Sequence, residues 1–192
     1  MKTKIKVKIG FFSVLMLSVI FVTSSSYLPA LILSVAIHEC GHVAAARICG
    51  IRLSELNLGI FGAALTPSDS IYSYKKEVLL CLGGPAFNFI SAFLYHSITK
   101  NTDSLFIVSS LSLGILNLLP IKGFDGGRIC EAMLCIILGP QKSTGIINLI
   151  SFFCLFGTWT ISVYLLIKAS ASLSLFVFSA SMFVKIFIPD AT

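Results

Sequence analysis

Ala36-Ile37-His38-Glu39-Cys40-Gly41-His42 is an H-E-x-x-H pattern inside a long run of apolar residues. Two histidines four residues apart on a helix project from the same face and can bind one metal ion. The glutamate between them is placed to accept a proton from a metal-activated water. Because apolar residues 31–37 precede the pattern and 43–46 follow it, the sequence predicts that this charged group lies inside a membrane helix.

Composition identifies the chain as a membrane protein. Of its 192 residues, 56% are hydrophobic and 11% charged, and the mean hydropathy is +0.97; soluble domains carry roughly 25% charged residues. The apolar runs are continuous rather than alternating, which favours helices over a β-barrel. The six cysteines contain no C-x-x-C pair and are interpreted as small hydrophobic residues. In such a chain the net charge of +6 does not indicate a nucleic-acid partner.

The apolar runs predict an all-α polytopic membrane protein with about six transmembrane helices of about 20 residues each and a short re-entrant β-hairpin after the second. The expected spans cover residues 10–23, 27–48, 77–98, a broken fourth span at 105–119 and 128–138, then 144–167 and 169–188. Residues 51–67 mix apolar side chains with glycines and are interpreted as the hairpin or re-entrant segment. Such backbone must be covered by protein or line a wet cavity.

These spans are expected to form a single intramembrane domain over residues 1–192. Its catalytic core would cover about 28–138, with accessory spans at 9–26, 144–167 and 169–188. The basic start followed by an apolar run also resembles a signal peptide. Because the polar residues 24–27 lead directly into the next span, we expect an uncleaved membrane anchor.

The basic residues predict the orientation. If the amino terminus is cytoplasmic and the spans alternate, 12 of the 14 Lys and Arg residues lie on the cytoplasmic side and only Lys100 and Lys168 on the other. This is a strong positive-inside bias. It predicts that both termini are cytoplasmic, and it places His42 and Asp125 toward the cytoplasmic half of the bilayer.

A third ligand is needed, because catalytic zinc sites combine three protein ligands with a water. His96 lies near the far end of its span, at the wrong depth for a site at His42. Asp125 is the better candidate, since it follows a helix break and its glycine neighbours let the backbone pack closely. Ionisable residues inside a membrane are costly and usually functional. The residues therefore favour a zinc site of His38, His42 and Asp125, with Glu39 as proton acceptor.

Three motifs carry a resemblance to a known family. They are His38-Glu39-Cys40-Gly41-His42, Gly84-Pro85-Ala86-Phe87-Asn88 and Asn117-Leu118-Leu119-Pro120-Ile121-Lys122-Gly123-Phe124-Asp125-Gly126-Gly127. Over about residues 28–138 the chain resembles the site-2 proteases, which are intramembrane zinc metalloproteases. Within that family it looks most like the six-span group of stage IV sporulation protein FB.

The resemblance implies an enzyme, a zinc metalloendopeptidase with one zinc ion per chain. It implies that His38, His42 and Asp125 bind zinc, that Glu39 is the catalytic base, and that Asn117 helps to hold the substrate or the transition state. The implied reaction is regulated intramembrane proteolysis of a membrane-associated protein, such as a pro-sigma factor or a similar regulator, by zinc-activated water. The expected setting is a bacterial cell membrane, as in sporulation. The lipid bilayer and a candidate regulatory membrane protein are the further partners, and no nucleic acid is expected.

Other interpretations stay open at this stage. A metal-ion transporter would also place His and acidic residues on neighbouring spans, although several such sites along a path would then be expected. A non-catalytic membrane scaffold would keep a vestigial site, against which the intact Glu39 argues. Residues 51–65 could pair with an extended substrate as an added strand or form a plain structural loop. Asn88 could simply make a hydrogen bond between helices.

Overall fold

The structure is a computed structural model that describes residues 6–9, 28–51, 53–59, 62–67 and 73–169, together with Ala180 and Phe183. In chain order its elements are β1 (Lys6–Ile9), α1 (Leu28–Ile48), β2 (Leu53–Gly59), β3 (Gly62–Pro67), α2 (Tyr74–Thr99), α3 (Leu105–Asn117), α4 (Asp125–Leu138) and α5 (Pro140–Ala169). The chain divides after Leu118 into two compact units. The first unit ends with α3, and the second contains α4 and α5.

The first unit contains a sheet with the strand order β1-β2-β3. β1 runs parallel to β2 and pairs Lys6 with Glu55, while β2 and β3 are antiparallel and end with Gly59 opposite Gly62. The prediction of an all-α membrane protein with a short re-entrant β-hairpin after the second span is therefore wrong, because β2 and β3 belong to a three-stranded sheet that also includes residues 6–9. The residues of β1 are suited to a strand, because its lysines alternate with apolar residues at the period of a strand. β1 pairs with the edge of β2, where unpaired backbone groups accept a further strand.

Helices α1, α2 and α3 pack against one another. Pro29 lies in the first turn of α1, where its missing N–H is tolerated, and Gly50, with φ of +65°, follows the end of that helix. α2 begins after Ser73, whose hydroxyl accepts a hydrogen bond from the Lys75 backbone N–H, and it ends before Lys100, with φ of +54°. The sequence predicts that these two helices begin at residues 27 and 77. α1 begins one residue after its predicted start, and α2 begins three residues before its predicted start.

The buried and exposed side chains of these three helices are distributed as in a membrane bundle. Polar side chains that are buried include Ser34, His38, His42, Asn88, Ser110 and Asn117. Ser34 Oγ and Ser110 Oγ lie 2.9 Å apart and join α1 to α3. Large apolar side chains such as Leu79, Phe93 and Ile98 are exposed. Helices in lipid place their polar groups against each other and their apolar groups outward, so this pattern agrees with a bilayer environment.

Three helices of the described residues are long and apolar enough to cross a membrane, namely α1, α2 and α5 up to Tyr164. The prediction of about six spans is therefore wrong for this part of the chain. The predicted fourth span is two short helices: α3 has 13 residues and α4 has 14, so each is about 20 Å long, short of the roughly 30 Å hydrocarbon core. The predicted span 9–26 lies outside the described residues, and of 169–188 only Ala169, Ala180 and Phe183 are described.

In the second unit α4 packs against α5. The loop that precedes α4 is held to α5, because the Lys122 backbone N–H donates to Ser151 Oγ at 2.8 Å. The same loop folds tightly onto the first turn of α4, where a Cβ on Gly127 would collide with the Ile121 carbonyl. Only glycine fits at residue 127, and the backbone at Asp125, the first residue of α4, is thereby fixed.

Two glycines let α1 and α2 approach closely. A Cβ on Gly83 would lie 2.5 Å from the Gly41 carbonyl oxygen and 2.8 Å from Ala45 Cβ. Backbone atoms cannot move aside as the end of a side chain can, so a methyl group here would push the helices apart. Small residues are typical of close helix pairs in membranes.

We expect Gly83→Ala to lower the free energy of unfolding by about 1–3 kcal/mol, the usual cost of over-packing. Thermal unfolding of the full chain in detergent measures this. Gly157→Ala on α5 is the matched control, because no atom of the residues that the structure describes lies within 4 Å of its Cβ position and alanine is the better helix former. Equal unfolding temperatures for the two variants would contradict the close approach of α1 and α2.

Candidate metal centre

His38 and His42 lie one turn apart on the buried face of α1, and each has 5% of its surface exposed. Their Nε2 atoms are 3.2 Å apart, and the rings meet edge to face with their centroids 4.8 Å apart. The spacing of four residues places both rings on one side of the helix. The two Nε2 atoms are therefore directed at the same place.

His42 is oriented by the backbone of α2. Its Nδ1 lies 2.8 Å from the carbonyl oxygen of Leu80. A carbonyl oxygen only accepts hydrogen bonds, so Nδ1 carries the proton and Nε2 keeps its lone pair. A backbone carbonyl on the far nitrogen is a common outer-shell partner of a metal-binding histidine. His42 is thus held in the tautomer that binds a metal through Nε2.

His38 is also held at Nδ1 by α2. The side-chain amide of Asn88, which is fully buried, lies 3.1 Å from this nitrogen. Both rings therefore have one nitrogen anchored on α2 and the other facing the neighbouring ring. This arrangement restricts the rotation of both rings.

Gly84 leaves open the space beside the two Nε2 atoms. A Cβ on Gly84 would lie 2.5 Å from His42 Nε2 and 2.6 Å from His38 Nε2. Two nitrogens bound to a tetrahedral zinc ion at 2.0–2.1 Å are about 3.3 Å apart, and the observed separation is 3.2 Å. The donor atoms, their separation and the gap at the glycine therefore fit zinc.

Asp125 is buried at the start of α4, with 8% of its surface exposed. Its carboxylate lies in the second unit, in the first turn of a helix whose backbone is fixed by Gly127. Two imidazole nitrogens and one carboxylate oxygen are a donor set that zinc prefers. Asp125 therefore stays the predicted third ligand beside the histidine pair.

The other predicted site residues lie on the same helices. Glu39 is half-buried on α1, and its Oε2 atom is shielded from solvent. Successive residues of a helix are about 100° apart, so Glu39 flanks the histidine face. Asn117 is the last residue of α3, 9% exposed, and its Nδ2 donates to the Leu113 carbonyl at 3.0 Å. His96 lies in the last turn of α2, outside the ligand group.

Three contributors to this centre were not assigned from the sequence. Leu80 contributes a backbone carbonyl, which every residue has, so no side-chain pattern could identify it. Gly84 and Asn88 did carry a signal, because they begin and end the Gly-Pro-x-x-Asn stretch inside an apolar span. A buried amide in such a span needs a hydrogen-bonding partner, and that partner is His38.

A known family model matches the part of the chain that carries these residues. The model of peptidase family M50 matches residues 26–102 and 96–158, which include both histidines and Asp125. The chain belongs to peptidase family M50. The resemblance to the site-2 proteases is therefore confirmed, and zinc is the metal that this family implies.

This M50 chain is similar in sequence to curated proteins of two organisms. It is 31% identical over 163 residues to a zinc metalloprotease of Methanocaldococcus jannaschii, a match that covers 77% of this chain and 46% of the relative. It is 31% identical over 146 residues to stage IV sporulation protein FB of Bacillus subtilis, covering 71% of this chain and 50% of that protein. The chain spans about half the length of these curated relatives.

A solved structure also resembles this M50 chain. The site-2 protease from Methanocaldococcus jannaschii matches with a TM-score of 0.69 and 23% identity, over 97% of this chain and 90% of that one. At this identity the match establishes the fold. The family and the three apolar helices together make the chain an integral membrane protein.

Proposed function

We propose that this chain is an intramembrane zinc metalloprotease in which His38, His42 and Asp125 bind the zinc ion. The observation that carries the proposal is the pair of buried Nε2 atoms 3.2 Å apart, each held in place from α2 through its Nδ1 atom. Ionisable groups among apolar membrane helices are costly and usually functional. In this proposal the two imidazoles and the carboxylate all bind the zinc ion.

When bound, zinc supplies a Lewis acid for a peptide carbonyl and lowers the pKa of a water molecule. Glu39 accepts a proton from the attacking water and passes it to the leaving amine. Its place beside the histidine face of α1 suits both steps. Asn117 uses one amide N–H on Leu113 and has a second, which it donates to the oxygen that gains negative charge during the attack.

The proposed substrate is a membrane-associated protein whose scissile segment unwinds before cleavage, because the hydrogen bonds of a helix shield its peptide groups. The name of the Bacillus subtilis relative connects that protein with sporulation, which supports a pro-sigma factor or a similar regulator as the substrate here. A regulatory membrane protein would then control access. The basic residues support cytoplasmic termini in a bacterial membrane and a site that opens to the cytoplasm.

Metal transport has less support as a function. A transport path would need several ligand groups along its length, whereas the membrane helices of the first unit hold a single facing pair of histidines among the residues that the structure describes, His38 and His42. Metal flux into vesicles that contain the purified chain, without cleavage of any membrane protein, would favour transport over proteolysis.

Removal of the metal is expected to abolish proteolysis. The full chain in detergent is treated with 1,10-phenanthroline, freed of chelator, and assayed on a panel of single-span membrane proteins tagged at both ends. We expect cleavage to fall by at least about 100-fold, because ordinary water is a poor nucleophile at neutral pH, and to return with one equivalent of zinc. Undiminished cleavage by protein that elemental analysis finds free of zinc would overturn the proposed function.

A further inference from the structure

We propose that Asn88 is a positioning residue of the zinc centre. In this proposal it turns its side-chain carbonyl Oδ1 toward His38, which keeps the His38 proton on Nδ1 and the lone pair on Nε2. The inference rests on the proposed role of His38 as a zinc ligand. Asn88 touches neither metal nor substrate and acts through the ring of His38.

Either the nitrogen Nδ2 or the oxygen Oδ1 of the Asn88 side-chain amide could face the ring of His38. Asn88 Nδ2 is the atom nearest to His38 Nδ1, at 3.1 Å, while Oδ1 is buried and has no hydrogen-bond partner among the residues that the structure describes. Asn88 is 0% exposed. The oxygen and the nitrogen of an amide have nearly the same size and shape, so the protons around them decide which one faces the ring.

If Nδ2 faces the ring, the centre excludes a metal. Nδ2 would donate to His38 Nδ1, and the proton of the neutral ring would then be on Nε2. That proton would point at His42 Nε2, 3.2 Å away, which can accept it because the Leu80 carbonyl holds the other proton of that ring. Both ring nitrogens of His38 would then be hydrogen-bonded, but its Nε2 would have no lone pair for zinc.

If Oδ1 faces the ring, the centre is ready for a metal. Oδ1 accepts a hydrogen bond from His38 Nδ1–H, just as the Leu80 carbonyl accepts one from His42 Nδ1–H. Both Nε2 lone pairs then face one place, which is unfavourable unless a cation lies between them. Because the family implies zinc, the amide of Asn88 takes this orientation, and both histidines are held by oxygen acceptors on α2.

The test compares Asn88→Leu and Asn88→Asp in the full chain, purified in detergent. Leucine has the same branching at Cγ as asparagine, with larger end groups and no acceptor, so the zinc Kd is expected to rise about 10–100-fold, as for other outer-shell losses. Aspartate keeps an oxygen acceptor and, when ionised, cannot donate, so its zinc Kd is expected within about threefold of wild type. Competition with a chromophoric chelator measures the zinc affinity. The d–d absorption of bound Co²⁺ reports the ligand set independently of activity.

Ser110→Ala is the control for the loss of a buried polar contact between helices, because Ser110 bonds to Ser34 and not to either histidine; its zinc affinity should be that of the wild type. The inference is wrong if Asn88→Leu binds zinc as tightly as the wild type, or if Asn88→Asp binds it as weakly as Asn88→Leu. Should Asn88→Leu fail to fold, a large loss of zinc affinity in Asn88→Asp alone overturns the inference.

His38→Ala separates this inference from the proposed function. Unchanged zinc affinity in His38→Ala would overturn the ligand assignment, and the role of Asn88 with it. A loss of affinity in His38→Ala with none in Asn88→Leu would overturn only the role of Asn88.

Discussion

Glu39→Gln is expected to abolish cleavage while the chain still binds one equivalent of zinc. Glutamine has the shape of glutamate and is an equally good helix former, so α1 should be unchanged. Its amide cannot take a proton from water, and loss of a general base costs about 10²–10⁴-fold in rate. Cleavage of a co-expressed single-span membrane protein, measured beside the zinc content of the purified variant, tests both parts of this expectation.

Glu131→Gln is the matched control for this variant. Glu131 is also a half-buried glutamate on a helix, α4, and it is not part of the ligand group. We expect it to cleave at the wild-type rate. Wild-type cleavage by Glu39→Gln would refute the role of Glu39 as base. Loss of zinc from Glu39→Gln would mean that Glu39 supports the metal rather than the proton transfer.

The ligand-bearing helix is the part of the fold that the sequence predicts best. The apolar run, Pro29 at its start and Gly50 after its end are all local signals, and the observed helix α1 follows them closely. The histidine pairing depends only on the helix repeat. Asp125 stays the predicted third ligand, because a buried acid in an apolar chain needs a strong reason to be there.

The sheet and the number of spans could not be predicted in the same way. Pairing of β1 with β2 joins residues 6–9 to residues 55–58, and nothing in the four residues of β1 specifies a partner so far along the chain. The prediction of a broken fourth span is wrong because of length. Residues 105–117 form a short apolar helix and residues 125–138 a second short helix, and each alone is shorter than the hydrocarbon core.

Gly84→Ala is expected to abolish zinc binding in a chain that still folds, and cleavage should be lost with the zinc. The added Cβ would lie 2.5 Å from His42 Nε2 and 2.6 Å from His38 Nε2, which is closer than non-bonded atoms come. Both atoms are at the ends of side chains, so the rings can turn aside, with loss of their Nδ1 hydrogen bonds to α2, while the backbones of α1 and α2 stay packed. Once displaced, the two Nε2 atoms no longer point at one place. We expect the zinc Kd to rise by at least about 100-fold, the upper end of what an outer-shell loss costs.

The neighbouring glycine makes this prediction specific. A Cβ on Gly83 would collide with the backbone of Gly41, whereas one on Gly84 would collide with the histidine rings. Gly83→Ala should therefore lose more stability, while Gly84→Ala should lose zinc with a smaller change in unfolding temperature when both chains are compared free of metal. Gly157→Ala should change neither property. If Gly84→Ala binds zinc like the wild type, the gap beside the two Nε2 atoms is not where the metal binds, and the proposed centre is wrong.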